Sequence, residues 1–215
     1  MGIIATKGFE YRGVPKELIA RLRQDHKQLD TFVETGTNIG ATAYWASDIF
    51  KQVVTIEFAQ ELYDKLDKSR KNIRFVMGDS SEMMPSLLSD HAIVYLDAHY
   101  SAGDTYNSYP LLKELQHVNA SGLKDLVVIV DDARFCSAQW NDETYGELPE
   151  IVGLLSNGGE RYVTLMDDML IAAPRSMEKT VRSHYNERSK ELWAQFQKDT
   201  TPSAVKAAAK KLLGR

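Results

Sequence analysis

The stretch "LVVIVDD", Leu126 to Asp132, places two adjacent carboxylates at the end of a run of branched apolar residues. A buried carboxylate loses its hydration unless a cation or hydrogen-bond donors replace the water, so something positive is expected beside Asp131 and Asp132. A second run, "AIVYLDAHYSAGDT", ends in Asp97 and is followed by His99 and Asp104. His99 is the candidate general base, because imidazole titrates near neutral pH. Asp104 is the competing base or a further ligand. A hydrogen-bonded structural role for His99 carries equal weight, and a surface loop is the bland reading of the Gly- and Tyr-rich residues around Asp104. Arg134 is expected to bridge to a strand-end acid, with neutralisation of an acidic acceptor as the alternative. Trp140 is a candidate wall of an acceptor pocket.

Elements must bring these residues together. Between Thr31 and Ala173, β-rich runs alternate with helical ones, the pattern of βα units and a parallel sheet. The strands expected are "TFVET", "QVVTIE", "IRFVMG", "AIVYLD" and "LVVIVD", with "RYVTLM" and "MLIAAP" as a closing antiparallel hairpin. Near-continuous Val, Ile and Leu runs suit strands covered on both faces. Helical patterning fits "VPKELIARLRQDHKQ", "NIGATAYWASDIF", "AQELYDKLDKS", "SSEMMPSLLS" and "YPLLKELQHV". Residues 1–30 read as an N-terminal helical segment, 31–174 as the main α/β body, and 175–215 as a polar helical tail packed by Leu192, Trp193 and Phe196, all in one domain.

Each of the first five strands finishes at or near an acid: Glu34, Glu57, Asp79, Asp97 and the Asp131–Asp132 pair. In an open parallel sheet the carboxyl ends share one edge, and ligands bind outside it. Singly, each acid is better read as a helix cap or turn residue; five in register point to a shared site.

The balance of 26 Lys and Arg against 30 Asp and Glu, a formal charge of -4, argues against a general nucleic-acid binder. One cysteine, Cys136, excludes an internal disulfide framework. With no apolar leader in "MGIIATKGFEYRG" and no membrane-length apolar run, the expected location is the cytoplasm, away from membranes. Gly2 and Thr6 fit a loose myristoylation pattern that matches too often by chance to use. A homodimer through the tail is the alternative to a solvated tail.

The turn "ETGTNIG" sets Gly36 and Gly40 between a strand and a helix, where glycine lets a ligand approach the backbone. Its spacing is GxxxG, not the GxGxxG of a dinucleotide site. Glu34 beside it would repel a pyrophosphate and attract an ammonium group. Glu57 is placed to accept from ribose hydroxyls, and Asp79 with Ser80 to meet an adenine edge. Adenosine with an amino-acid tail is S-adenosylmethionine.

Over Thr31 to Ala173 the order of these motifs resembles the class I methyltransferases, with "FVETGTNIGAT" similar to their first motif, "VVTIE" to the acidic ribose strand and "GDSSEMMPSL" to the adenine segment of catechol-type O-methyltransferases. The resemblance implies a Rossmann-like α/β fold with a seven-stranded sheet in the order 3-2-1-4-5-7-6. It implies cofactor contacts from Glu34, Gly36, Thr37, Gly40, Glu57, Phe58, Asp79, Ser80 and Asp97. Asp97, Asp131 and Asp132 match the ligands of metal-dependent O-methyltransferases of the catechol and natural-product sugar types. Three carboxylates without a Cys suit Mg²⁺, with Ca²⁺ or Mn²⁺ as alternatives. The catechol type usually has Asp-Asn in the second pair and a lysine where this chain has Tyr100; the sugar type tends to carry an acid where this chain has His99. The expectation is an S-adenosylmethionine-dependent O-methyltransferase, Mg²⁺-assisted, acting on a small hydroxylated acceptor such as a sugar or secondary metabolite. The alternatives are a metal-independent methyltransferase using His99, a non-catalytic adenosine-binding module and, behind both, an NAD-dependent oxidoreductase.

Overall fold

A computed structural model describes residues 13–98, 109–136, 146–200, 207–208 and 210–213. His99, Tyr100, Asp104 and Trp140 lie outside the described residues.

Seven strands build one sheet: β1 (Thr31–Thr35), β2 (Gln52–Glu57), β3 (Ile73–Met77), β4 (Ala92–Leu96), β5 (Val127–Val130), β6 (Arg161–Met166) and β7 (Met169–Pro174). Their order is β3-β2-β1-β4-β5-β7-β6, as the family resemblance implies. The first five are parallel, and β7 runs antiparallel to β5 and β6. The central strands β1, β4 and β5 are buried throughout, which explains why their sequences show apolar runs and not alternation.

Among the described residues the sheet is flanked by α1 (Lys16–Asp25), α2 (Ala41–Ser47), α3 (Gln60–Lys65), α4 (Ser80–Met83), α5 (Leu111–Ala120), α6 (Leu148–Ser156) and α7 (Glu178–Thr200). Alternate side chains of each strand enter opposite layers. Val33, Val94 and Val128 meet Leu115 of α5 and Ile151 of α6 on one face. Phe32, Tyr95 and Ile129 meet Leu18 of α1, Ala43 of α2 and Val181 of α7 on the other.

Three elements differ from the sequence expectation. Helix α4 stops at Met83, and a 3₁₀ turn over Met84–Ser86 follows. Pro85 explains the break, since it has no N–H to donate to a continuing helix. Helix α6 has no counterpart among the helical runs expected from the sequence, although "LPEIVGLLS" has Pro149 in its first turn and buries Ile151 and Leu155 one turn apart. The tail is docked through Met177, Val181 and Tyr185, which are buried, whereas the expected anchors Leu192 and Trp193 are 39% and 60% exposed. The reason is length. At roughly 1.5 Å per residue the 23-residue α7 outruns the sheet face it starts on. No helix among the described residues is long and apolar enough to cross a membrane.

Candidate active site

The carboxyl edge of the sheet carries the acids, in two groups. At the β1–β2 side the turn after β1 is held tightly. Gly36 and Thr37 donate their backbone N–H groups to the Ile56 carbonyl at 3.0 and 3.2 Å. Gly36 has φ +83°, and a Cβ there would lie 2.5 Å from the Asp97 carbonyl oxygen. Only glycine allows β1 to turn this close to the end of β4.

Glu34 lies under that turn, almost completely buried. Its Oε2 accepts from Thr55 Oγ1 at 2.6 Å, and Thr55 Oγ1 shares a 2.6 Å hydrogen bond with Thr37 Oγ1. Burial pushes the Glu34 carboxyl up to about 8, against the opposing pull of the Thr55 and Thr42 hydroxyls. Glu34 therefore anchors the turn from below rather than displaying a bare charge beside it. Glu57, at the end of β2, accepts from the Asn38 N–H at 2.7 Å through one oxygen and from the Ala59 N–H at 2.8 Å through the other. A carboxylate has about four lone-pair positions, so capacity for a ribose diol is left after both bonds. Phe58 next to it is partly exposed. Asp79 caps α4, accepting from the Ser81 N–H at 2.8 Å, which is the cap role expected of any single strand-end acid. Ser80 beside it is buried.

At the β4–β5 side the acids face one another. Burial, then the neighbouring Asp131, Asp132 and Glu34, push the Asp97 carboxyl up to about 9. Asp131 is raised as well, chiefly by burial. It accepts from the Tyr95 hydroxyl through one oxygen and from the Asp132 N–H at 2.8 Å through the other. Asp132 has a left-handed backbone, φ +53°, and its Oδ1 lies 2.7 Å from Arg134 Nη1. Arg134 thus bridges to a strand-end acid, as expected. It also pairs with Asp168, whose other oxygen accepts from the Arg134 N–H at 2.8 Å.

Asp168 is a site residue that sequence reasoning passed over. The signal was present: Asp167 and Asp168, the two residues between β6 and β7, both adopt left-handed φ, the geometry of a tight hairpin turn. Because β7 runs antiparallel to β5, with Leu170 opposite Val130, that turn returns Asp168 to the edge where Asp131 emerges. Cys136 is buried and its thiol is pushed up to about 11 by that burial and by Asp168, consistent with an inert side chain.

These acids can be weighed against a divalent ion. Their chemistry is right, being hard and all-oxygen. Their arrangement is not: both Asp131 oxygens are engaged, Asp132 is ion-paired, and no group of three His, Cys, Asp or Glu among the described residues is spaced to hold a metal. The residues present do not fit a bound ion without giving up these contacts.

No protein-family model matches the sequence, and no curated protein matches it. Solved structures do. DesVI from Streptomyces venezuelae is 10% identical with a TM-score of 0.55, over 78% of this chain and 93% of that one. The O-methyltransferase TomG from Streptomyces achromogenes, involved in tomaymycin synthesis and solved in complex with S-adenosylmethionine, is 13% identical with a TM-score of 0.50, over 81% of this chain and 90% of that one. An O-methyltransferase from Bacillus cereus, solved with S-adenosylhomocysteine, is 12% identical with a TM-score of 0.50, over 80% and 87%. With the strand order and the closing hairpin, this likeness gives the chain the fold of the class I S-adenosylmethionine-dependent methyltransferases.

Proposed function

We propose that the protein is an S-adenosylmethionine-dependent O-methyltransferase acting on a hydroxyl of a small molecule, such as a sugar or secondary metabolite. The observation that carries the reading is the β1–β2 edge: a Gly36 turn pressed on the end of β4, with Glu57 fixed by two backbone N–H groups at the next strand end. A fixed carboxylate there suits a ribose diol. The structural neighbours solved with this cofactor or its product support the same donor.

In the transfer, a lone pair of the acceptor oxygen attacks the methyl carbon, the carbon–sulfur bond breaks with its electrons moving to sulfur, and neutral S-adenosylhomocysteine leaves. The acceptor proton goes to a base, for which His99 and then Asp104, two and seven residues after Asp97 in the sequence, are the candidates. The chain's part is to hold donor and acceptor in line and exclude water.

Mg²⁺ assistance is a second reading. The observation favouring it is the approach of like charges: burial and then Asp131 and Asp132 push the Asp97 carboxyl up, and burial with Asp132 and Asp168 raises Asp131. A test is methyl transfer from labelled S-adenosylmethionine to a panel of sugars, polyols and phenols, with and without a chelator. Label appearing equally in both favours the ion-free site; label lost on chelation and restored by Mg²⁺ favours the ion. No transfer to any acceptor despite tight cofactor binding would leave an adenosine-binding module.

A further inference from the structure

Helix α5 carries a buried acid with no part in the transfer described above. Glu114 is 1% exposed, and its Oε1 makes no hydrogen bond; the buried Thr35 Oγ1 makes none either. The hydroxyls of Ser80 and Thr35 lie close enough to act on the carboxyl, as does Asp79. One turn further along α5, His117 Nε2 meets the Ser81 carbonyl at 2.7 Å. Residues three apart share a helix face. Two side chains of α5 therefore reach the same short segment, Asp79 to Ser81, whose own cap is the Asp79 to Ser81 N–H bond.

Thr35 ends β1, directly before the Gly36 turn, and Ser80 opens α4. Glu114 is therefore within reach of both the end of β1 and the start of α4. A buried, incompletely bonded carboxyl costs free energy in the fold, so its presence there calls for a role that an apolar residue would not fill.

We propose that Glu114 is a positioning residue for the cofactor, holding the Ser80 and Thr35 hydroxyls so that the adenine segment and the turn after β1 keep a fixed spacing. This rests on the methyltransferase reading, which puts the cofactor over that edge. With the ligand seated, the ionised carboxyl would accept from the two nearby hydroxyls and leave the Ser80 oxygen lone pairs for the ligand, whereas the protonated carboxyl would donate to one of them and turn it. Burial pushes Glu114 up to about 7, with Asp79 adding to the rise and the two hydroxyls opposing it. The ionised form therefore gains population as pH rises through neutrality. The charged or titratable groups around it are Asp79 on α4, with Glu82 exposed on that helix, and His117 and Lys113 on α5 itself.

The test is the dissociation constant of S-adenosylhomocysteine measured calorimetrically from pH 5.5 to 8.5 for the full chain, Glu114→Gln and Glu114→Ala, with thermal midpoints recorded alongside. The expected result is that wild-type affinity tightens several-fold across neutral pH, that Glu114→Gln binds with a flat profile, and that Glu114→Ala binds at least ten-fold more weakly. A Glu114→Gln profile superimposable on the wild type would overturn the proposal, because a merely structural carboxyl leaves the profile unmoved. His117→Gln is the control for the nearby imidazole: a wild-type inflection that disappears in this variant and persists in Glu114→Gln also overturns it. No binding by the wild type at any pH would instead overturn the methyltransferase reading on which the proposal stands.

Discussion

The two halves of the carboxyl edge use the same residue type in opposite ways. At β1 and β2 each carboxylate has its own donors: Thr55 for Glu34, and the Asn38 and Ala59 amides for Glu57. At β4, β5 and β7 the carboxylates confront one another, with Tyr95, Arg134 and local backbone N–H groups shared among Asp131, Asp132 and Asp168, and Asp97 pushed up to about 9. The first half is organised before any ligand arrives. The second gathers carboxylates that burial and one another's charge push toward their protonated forms. The difference matches the division of labour in the proposed reaction: a rigid seat for the donor, and a responsive, electrostatically charged place for the acceptor.

Gly36 is the seam between the halves, so breaking it should have the largest effect. Gly36→Ala adds a Cβ that would sit 2.5 Å from the Asp97 carbonyl at a left-handed φ. A cost of about 3 kcal/mol or more is expected from the strained backbone and the clash together, read from urea denaturation, with loss of cofactor binding in whatever folds. A wild-type denaturation midpoint would show that the turn and β4 are not pressed together.

Next comes the crowded half. Asp97 is raised in the folded state, so its contribution to stability is fully present below the unfolded carboxylate pKa and is lost as pH rises toward about 9. Asp97→Asn should remove that decline and leave the variant on the order of 2–4 kcal/mol more stable than the wild type at pH 9, measured as the difference between denaturation curves at pH 5 and pH 9. Identical pH dependence in both proteins would mean that Asp97 is already neutralised.

Removing the shared cation should cost less. Arg134→Ala leaves Asp132 and Asp168 without their guanidinium, and because Arg134 is half exposed the loss is about 1–2 kcal/mol, below that of a fully buried pair. Adding salt should narrow the gap. The smallest effect belongs to the satisfied half: Thr55→Val keeps the shape and deletes the donor to Glu34, for a loss of about 1 kcal/mol.

The strands and the identities of the edge acids were legible because they depend on patterns that one chain displays: apolar runs, the acids ending them and the glycines after β1; the strand order is what the family resemblance implies, and those patterns alone do not contain it. What each acid faces was not legible. Asp131 and Asp132 are neighbours in sequence, yet the first is held by Tyr95 from β4 and the second by Arg134, and only the left-handed backbone at Asp132 separates their directions. Asp168 was hidden because a hairpin must be folded before its tip returns to the edge. Glu114 reads as an ordinary surface residue of an amphipathic helix, and its burial appears only when α4 is packed against α5. The carboxylates of the metal expectation can be counted in the sequence, but their partners, Tyr95 and Arg134 among them, are tertiary.

The central claim is that the ordered half seats an adenosine carrying an amino-acid tail. Calorimetric titration with S-adenosylhomocysteine, beside NAD⁺ as a control and Glu57→Ala as a variant, tests it most directly. The account predicts saturable binding to the wild type, at least ten-fold weaker binding to Glu57→Ala, and about 2.7 kcal/mol of added native-state stability at a hundred-fold excess over the dissociation constant. NAD⁺ should not bind. Tight binding of NAD⁺ with none of S-adenosylhomocysteine would contradict the account.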